Sequence, residues 1–535
     1  MQQQKPQRAS EQSDRPAADI PDFESDHSTV PPSSQLPPPE RVRTQNGYGV
    51  SEEHGRAGAG VGEKDPFEVS WDGGDADPSC PRSMARGRKW LIVFIVSHAS
   101  LCFTCASSVY TSTYEQMEAE FHNSRIVSVL GLSSFVLGIG LGPMFLSPLS
   151  EFYGRRPIYL VAWTAYLIWF VPQAVAKHIA ITIVFRFMSG FSGSAFLAVS
   201  GGTVSDLFAK QELQAPMALF SMSPFIGPSL GPLIGGFINY YVDWRWTYYV
   251  LVIWSFVLWV AIIFFVPETY HPILLRNKAR RLRTETGDDR WIAPGESVKR
   301  SVLTAVGRSL LRPFQLLIFE PMCLCLCLFS ALLLGILYLL FGAMPLVFGT
   351  NHDFNLWNNG LAFLGIAVGV LLGVATDPLW YRVRIHLIRR HERETGVKDD
   401  SEPEFRLPPA ILGSVLVPIG LFTFGWSTYP WVPWIVPIIG SAIFGTGNVL
   451  LFTGIFTFLV DAYPLYAASA LAANAFVRCL FAATFPLFGN QMYKKLGFQW
   501  ASTLLALLTT AMLPFPYLFF RYGKQIRARS RFAKE

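Results

Sequence analysis

The sequence has 535 residues, of which 51% are hydrophobic and only 15% are charged. Since a soluble globular domain carries about 25% charged residues, this composition favours a membrane protein over a set of soluble domains. The net charge of +6 is too small to indicate nucleic-acid binding, and the seven scattered cysteines lack the spacing of an extracellular disulfide framework.

Residues 1–86 are predicted to form a disordered cytoplasmic tail. They are rich in Pro, Ser, Gly, Gln and charged residues and contain few aliphatic ones, so they cannot bury enough apolar surface to fold. The chain does not open with the apolar region of a cleavable signal peptide. The first long apolar segment is therefore expected to direct the chain to the membrane.

Twelve apolar stretches follow, each close to the length of about 20 residues that spans a bilayer as a helix. The predicted spans are 90–112, 127–148, 158–176, 179–203, 216–239, 247–267, 319–341, 355–376, 408–426, 432–459, 467–489 and 498–520. The predicted fold is an all-α membrane protein with twelve transmembrane helices in two pseudo-symmetric six-helix bundles. The bundles cover 87–267 and 314–520, with a cytoplasmic loop over 268–313 between them and a basic tail over 521–535.

Loop charge predicts the orientation of these spans. The central loop, counted over 268–312, holds ten Lys/Arg and the loop over 379–407 holds seven, whereas 346–354 and 427–431 hold none. Since basic loops remain on the cytoplasmic side, both termini are expected in the cytoplasm.

The two halves of the sequence repeat each other. An aspartate ends the fourth span of each half, at Asp206 and Asp461. An acid followed by two arginines ends the second span of each half: Glu151, Arg155 and Arg156 in one, Asp377, Arg382 and Arg384 in the other. Such repeats favour a transporter whose two bundles rock about a central site, and argue against a receptor or a structural anchor.

Four stretches carry a resemblance to a known family: "SPLSEFYGRRPIYL", "SPFIGPSLGPLIGGFI", "FVPETYHPILLRNKA" and the late "VDAYPLYAASALAANAFVRC" with its continuation. Over residues 87–533 the chain resembles the major facilitator superfamily, in its fungal drug:proton antiporter branch with twelve helices. The resemblance implies proton-coupled export of a hydrophobic or aromatic small molecule by alternating access, with no cofactor beyond the proton gradient. A polyamine or nutrient transporter of the same fold and a non-transporting membrane receptor or scaffold are the alternatives.

The loop between spans 2 and 3 holds the first candidate site: Glu151, Gly154, Arg155 and Arg156. Gly154 supplies backbone freedom for a tight turn, and the charges can pair across the cytoplasmic face. The resemblance implies a latch that closes the inward gate; the alternative is that the arginines only set topology. Ser147 and Phe152 depart from the family pattern, which usually has glycine and a basic residue there.

Span 5 holds the second candidate site, a repeat of glycine and proline: Gly227, Gly231, Pro232, Gly235 and Gly236. Glycines four residues apart leave a smooth helix face that another helix can approach closely, and prolines permit bending. The resemblance implies an antiporter motif whose helix meets its symmetry mate and governs opening between the halves. A static packing or dimer face is the alternative.

Titratable groups inside the spans are candidates for proton coupling or gating. Arg186 lies in span 4, where a buried cation costs about 2.5–3.5 kcal/mol or more and therefore indicates function; snorkelling to the headgroups is the alternative. Asp206 ends the same span. His98 in span 1 is either a proton carrier or a hydrogen-bonded packing residue.

Span 7 presents Tyr338, Phe341 and Met344 as candidate residues of a substrate cavity, with Arg478 of span 11 as its basic member or as a helix–helix contact. Gly342 stands where polyamine-exporting relatives often have glutamate. Since a polycation needs carboxylates in its site and few occur here, an apolar or weakly anionic aromatic substrate is favoured.

The remaining motifs predict what is absent. The sequence has no GxxxxGK[ST] phosphate loop and no catalytic signature in a suitable context, so an enzyme or an ATP-driven pump is not expected. Alternate residues of a helix point apart, so the cysteines at 323, 325 and 327 cannot face one metal. The expected partners are a small-molecule substrate, protons and the lipid bilayer, without nucleic acid, for a monomer in the plasma membrane or, alternatively, the vacuolar membrane.

Overall fold

The computed structural model describes residues 67–209, 212–294, 296, 302–396, 401–528, 530 and 532–533. Eleven helices in this part of the chain are long and apolar enough to cross a membrane. With the helix of the predicted third span, numbered 3 here, the spans in chain order are 1 Arg86–Phe121, 2 Arg125–Tyr153, 3 Arg155–Ala174, 4 Ile179–Leu207, 5 Gln214–Tyr241, 6 Arg245–Phe265, 7 Pro321–Asn351, 8 Leu356–Thr395, 9 Pro408–Trp426, 10 Ile435–Ala462, 11 Pro464–Leu496 and 12 Phe498–Ala528.

Span 3 is less apolar than the others because two arginines open it and Gln173 lies in its last turn. It is nevertheless anchored among its neighbours, since the indole of Trp163 is fully buried and its Nε1 donates to the Ser255 carbonyl of span 6 at 2.9 Å. The Gln173 amide donates to Ser189 of span 4 at 2.8 Å. The predicted fold of twelve membrane helices is confirmed.

Several spans are not continuous α-helices. Span 1 is α-helical over Arg86–Val109, passes through a 3₁₀ turn at Tyr110–Thr113, and continues as Tyr114–Phe121. Span 8 is broken twice, after Ala362 and after Ala375, and its last segment, Asp377–Thr395, is strongly charged. Irregular backbone inside a membrane protein is tolerated where protein groups satisfy it, and the break in span 1 lies beside the buried arginine described below.

The two halves meet chiefly along two helix pairs, span 2 with span 11 and span 5 with span 8. In the first pair, a Cβ added at Gly140 would lie 2.8 Å from Cys479 Cβ, so the helices are in van der Waals contact there. Two turns earlier in span 2, the Ser133 hydroxyl donates to the Ala483 carbonyl of span 11 at 2.5 Å. Small residues allow these helices to pack closely without a hydrophobic driving force between them.

Residues 67–83, called the N-terminal clasp here, pack on the loop helix His271–Thr286 that follows span 6. Val69 forms a small core with Ala279 and Ala293 of this loop region. The Lys278 ammonium contacts the Asp77 carboxylate at 2.9 Å, so a partly buried ion pair holds the clasp on the helix.

The clasp corrects the sequence prediction in part. Residues 1–86 were expected to be disordered; residues 1–66 lie outside the described part of the chain, whereas 67–85 contain two 3₁₀ turns, Gly74–Ala76 and Pro81–Ser83. Composition did not predict this structure, because the apolar residues of the segment pack against another part of the chain rather than against one another. Phe67 packs edge-on against Trp291 and Trp71 against His271, at centroid distances of 5.6 and 5.7 Å.

Loss of the Asp77 charge is expected to release the clasp. The Ser79 amide and the Lys278 ammonium lower the pKa of Asp77 to about 2, below its unfolded value of about 3.9. The stabilisation is therefore present above about pH 4 and is lost as the pH falls towards 2. At pH 7, Asp77→Asn should speed hydrogen–deuterium exchange of residues 67–83, whereas Asp75→Asn, on the exposed side of the clasp, should not. Equal exchange in both variants would contradict this role.

Candidate transport site

One end of the molecule carries the Lys/Arg-rich loops and is called the basic end here; the other is the opposite end. At the basic end, the side chain of Arg155 is buried at the start of span 3. Its Nη1 donates to Ser150 Oγ at 2.8 Å and its Nε lies 3.5 Å from Asp206 Oδ2. The guanidinium also lies over the Tyr270 ring, 4.6 Å from its centroid. Arg155 thus joins spans 2, 3 and 4 to the segment after span 6.

Glu268 completes this network, although the sequence prediction did not place it in the site. Its carboxylate accepts the backbone N–H groups of Arg155 and Arg156 at 3.0 and 3.1 Å, and so caps the N-terminus of span 3. Gly154 has φ +98°, and a side chain there would collide with this carboxylate. The available signal was the acid of "FVPETYHP", one of the stretches that carry the family resemblance.

The structure therefore brings Gly154, Arg155 and Arg156 of the predicted latch together. Arg156 Nη2 donates to the Ile263 carbonyl of span 6 at 3.1 Å. Glu151 lies in the last turn of span 2, where it attracts the charge of Arg155. The described contacts of Arg155 and Arg156 join spans 2, 3, 4 and 6 and the segment that follows span 6, so they stiffen the basic end of the first half.

The second half repeats the central ion pair. Asp461 at the end of span 10 accepts from Arg406 Nε at 2.7 Å and lies 3.8 Å from Arg384 Nη2. The predicted equivalence of Asp206 and Asp461 holds, but the main partner is Arg406, just before span 9, rather than an arginine after span 8. Asp377 and Arg382 instead line a cleft of 950 Å³ between the halves at the basic end.

The glycine face of span 5 packs against span 1 of the same half. A Cβ at Gly231 would lie 2.6 Å from the Val109 nitrogen, and one at Gly235 would lie 2.8 Å from the Val109 carbonyl oxygen. Gly227 approaches span 1 one turn earlier, at the Leu101 carbonyl. These three glycines let two backbones touch.

Gly236 and Pro232 face the other half. A Cβ at Gly236 would lie 2.7 Å from the Leu356 carbonyl of span 8, and one at Gly360 of span 8 would lie 2.7 Å from the Pro232 carbonyl. The resemblance implied contact between span 5 and its symmetry mate, which by the repeat is span 11; the observed partner is span 8, and this expectation is wrong. Span 8 presents the matching glycine, which span 11 does not.

Arg186 is fully buried, which excludes snorkelling to the headgroups. Its Nε donates to the Gly131 carbonyl of span 2 at 2.8 Å, and Nη2 donates to the Ala106 and Ser107 carbonyls beside the break in span 1, at 3.3 and 3.1 Å. The guanidinium lies 4.1 Å from the centroid of the Tyr110 ring. Arg186 therefore holds spans 1, 2 and 4 together through backbone acceptors and a cation–π contact.

Ser107 links this cluster to the other half. Its hydroxyl lies 2.9 Å from the Tyr338 hydroxyl of span 7, and both side chains are buried. Because Arg186 fixes the Ser107 carbonyl, the position of the Ser107 hydroxyl depends on a charge in span 4. This buried hydrogen bond joins the two halves in series with Arg186, in addition to the Ser133–Ala483 hydrogen bond between spans 2 and 11.

A cavity of 360 Å³ lies between the halves on the side of the opposite end, and Tyr338 and Gly342 line it. No atom lies within 4 Å of a Cβ added at Gly342, so the position of the glutamate of polyamine exporters faces open space. Phe341 and Met344 are instead buried among other side chains, with the Phe341 ring 5.6 Å from that of Phe363. Of the three predicted span 7 residues, the structure places Tyr338 at this cavity.

The two remaining candidates lie apart from this cavity. His98 accepts a hydrogen bond from Trp254 Nε1 of span 6 at 3.0 Å and stacks on the exposed Phe94 ring, as the packing alternative expects. Arg478 lies over the Phe452 and Phe456 rings of span 10, at 5.3 and 5.1 Å. His98 thus faces the outside of the first half, and Arg478 faces an aromatic pair inside the second.

The cysteine run does not form a metal site. Cys323 and Cys327 lie one turn apart with their sulfurs 3.8 Å from each other, and Cys325 is only half-buried. Within the described ranges, no cluster of three or more His, Cys, Asp or Glu side chains is arranged to hold a metal ion.

Two helical halves, a tight helix pair across their interface and a cavity between them define a membrane transporter rather than an enzyme. The chain belongs to the Major Facilitator Superfamily, whose family model matches residues 96–486. This finding confirms the resemblance stated from the sequence.

The chain is similar to fungal efflux proteins over most of its length. It is 55% identical over 467 residues to "Efflux pump atB" of Aspergillus terreus, covering 87% of this chain and 90% of that protein. It is 44% identical over 473 residues to "Probable drug/proton antiporter YHK8" of Saccharomyces cerevisiae, covering 88% and 91%. These relatives place it in the fungal drug-efflux branch.

Solved structures show the same fold at low sequence identity. The inward-open xylose transporter XylE from E. coli matches with a TM-score of 0.58 and 15% identity, over 81% of this chain and 96% of that one. The human organic anion transporter MFSD10 matches with a TM-score of 0.53 and 15% identity, over 80% and 99%.

A side chain at Gly236 is expected to part the halves at the opposite end. Overpacking costs about 1–3 kcal/mol, so Gly236→Leu should open the contact with span 8. The readout is the rate at which a membrane-impermeant maleimide labels Leu132→Cys, a buried position that lines the cavity, in a background without the native cysteines. Gly342→Ala, which fills open space, is the control and should leave the rate unchanged. Similar rates in both variants would contradict this prediction.

Removing the hydroxyl of Tyr338 is expected to weaken the link between the halves. A buried hydrogen bond contributes about 0.5–1.5 kcal/mol, so Tyr338→Phe should raise the labelling rate of the same cysteine about 2- to 10-fold. Ser107→Ala should act in the same direction, and the double variant should add little to either. Tyr240→Phe, on the exposed surface, is the control. Additive effects of the two single variants would show that the hydroxyls do not interact.

Proposed function

We propose that the protein exports a hydrophobic or aromatic small molecule in exchange for inward-moving protons. The observation that carries this proposal is the glycine–proline helix, span 5, packed between span 1 of its own half and span 8 of the other. This helix contains the sequence typical of antiporters, and a relative that is 44% identical is named a probable drug/proton antiporter.

The chemistry of the cavity supports an apolar or weakly anionic substrate. Tyr338 supplies an aromatic surface, and Gly342 leaves open the place where a glutamate would attract a polyamine. Glu115 is the one acid among the described residues that line the cavity, and Arg125 accompanies it, so the lining offers a polycation little net negative charge to replace its hydration. This favours aromatic metabolites, toxins and drugs over polyamines or sugars.

Alternating access requires each half to move as a unit while the contacts between the halves exchange. The Arg155–Asp206 pair with the Glu268 cap makes the basic end of the first half one rigid unit, and Arg406–Asp461 does so in the second. Both pairs lie at the basic end, where they act as the inward latch. Glu151 and Arg156 contribute to it from the same turn.

Proton coupling is assigned to the charged groups that tie helices together. Protonation of Asp206 removes the carboxylate charge that faces Arg155, so the latch loosens when a proton arrives. Arg186 transmits a change in span 4 to Ser107 and from there to Tyr338 across the interface. His98 is not used, since its ring is engaged with Trp254 on the outer surface of the first half.

The proposed cellular setting rests on the basic loops at one end of the molecule. The protein works in the plasma membrane, as a monomer, with both termini in the cytoplasm and the proton gradient as its energy source. The alternatives are the vacuolar membrane and, for the direction of transport, proton-linked uptake.

Flux in proteoliposomes tests direction and latch together. 7-Amino-4-methylcoumarin, a neutral fluorescent aromatic probe, is offered to vesicles whose basic end faces outwards and whose lumen is acidic; accumulation in the lumen is expected, and collapse of the gradient should stop it. Arg155→Gln should lower the rate at least about tenfold, as loss of a buried pair predicts, whereas Arg521→Gln, at an exposed arginine of the same end, should not. Accumulation only when the lumen is alkaline would show uptake instead, and an unchanged Arg155→Gln rate would remove the latch.

A further inference from the structure

Two side chains of span 11 carry buried polar atoms that have no hydrogen-bond partner, although Arg478 as a whole is only partly buried. Asn474 is fully buried, and neither its Nδ2 nor its Oδ1 has a hydrogen-bond partner. Arg478, one helical turn later, has a buried Nε in the same condition. Among the described side chains, none accepts a hydrogen bond from Arg478, and no described acid forms an ion pair with it. Positions i and i+4 of a helix share a face, so the two groups form one unsatisfied patch.

Arg186, which is fully buried, is better satisfied than Arg478, although its Nη1 also lacks a partner. Arg186 donates to three backbone carbonyls and lies over the Tyr110 ring, so the protein itself satisfies most of its donors. Among the described residues, Arg478 contacts aromatic rings but no oxygen acceptor. Buried polar groups in proteins are nearly always hydrogen-bonded, and an unpaired charge inside a membrane protein is more costly still.

Aromatic rings surround the patch and connect it to the interface between the halves. The guanidinium lies 5.3 and 5.1 Å from the centroids of the Phe452 and Phe456 rings of span 10. The Phe452 ring in turn lies 5.3 Å from that of Phe225, which belongs to span 5 in the other half. A ligand at Arg478 would therefore lie where the two halves meet, beside the helix that carries the antiporter sequence.

The chemistry of the patch identifies the group that would bind there. A guanidinium offers paired N–H donors whose geometry matches a carboxylate, and the Asn474 amide adds further donors. The neighbouring rings offer faces on which an aromatic ring can stack. We propose that Asn474 and Arg478 form the subsite for the carboxylate of an aromatic acid, and that the transported substrates include aromatic monocarboxylate anions. This inference rests on the proposed export function and specifies its substrate class.

Binding of a matched pair of probes tests the subsite directly. 1-Naphthoate and 1-naphthamide share the same ring and differ in charge, and both are measured by equilibrium dialysis against the purified full-length protein in nanodiscs. The wild-type protein should bind naphthoate about tenfold more tightly than naphthamide. Arg478→Gln should abolish this difference by weakening naphthoate, while naphthamide stays within about twofold. Asn474→Leu should also weaken naphthoate binding, and Thr484→Val, at an exposed position of the same helix, should change neither.

Three outcomes overturn the subsite: no binding of naphthoate to the wild-type protein, equal binding of both probes, or a preference that survives in Arg478→Gln. Arg478→Lys keeps the positive charge but loses the paired N–H donors of the guanidinium, so it should retain part of the preference for naphthoate. If Arg478→Gln does not fold, naphthoate binding to Arg478→Lys and Asn474→Leu tests the subsite instead. The flux assay separates this result from the proposed function. Gradient-driven export of 7-amino-4-methylcoumarin without any preference for naphthoate leaves the proposed function and removes the subsite; charge-selective binding without gradient-driven flux does the reverse.

Discussion

Close approach of helix backbones is the constraint on which this structure depends. Inside a bilayer no hydrophobic effect drives helices together, so van der Waals contact between backbones must do so. Glycines make that contact at span 5 against spans 1 and 8, and again within the second half, where a Cβ at Gly413 of span 9 would lie 2.6 Å from the Gly447 carbonyl of span 10. This packing places the polar groups that pair between helices, whereas Asn474 and the Nε of Arg478 are left without a partner.

The charges then divide into two classes. At the basic end, Arg155 and Asp206 form a largely buried ion pair that holds one half together, as the more exposed pair of Arg406 and Asp461 does in the other half. In the interior, Arg186 is neutralised by carbonyl dipoles rather than by an acid. Since protonation of the acid can break an ion pair whereas backbone carbonyls do not titrate, the first class suits a gate and the second suits a fixed support.

The sequence predicted the architecture well because hydropathy and loop charge are local signals. The twelve spans, the division into halves and the glycine face of span 5 could all be obtained in this way. The contacts between helices could not be predicted in this way, because they depend on how the helices cross in space. Examples are the Glu268 cap on span 3, the pairing of Asp461 with Arg406 rather than Arg382, and the contact between span 8 and Gly236. The N-terminal clasp was missed for a related reason, since composition cannot show that a polar segment will share the core of a distant loop.

The contact between Gly236 and span 8 has a consequence for energy conversion. With carbonyl oxygens lying against glycines on both sides, at Leu356 and Pro232, this contact has no room for a file of water molecules. A chain of hydrogen-bonded water molecules that could carry a proton therefore cannot form there while the two helices touch. The packing that joins the halves therefore also blocks proton leakage at this contact, so that protons cross the membrane there during the transport cycle rather than by leakage.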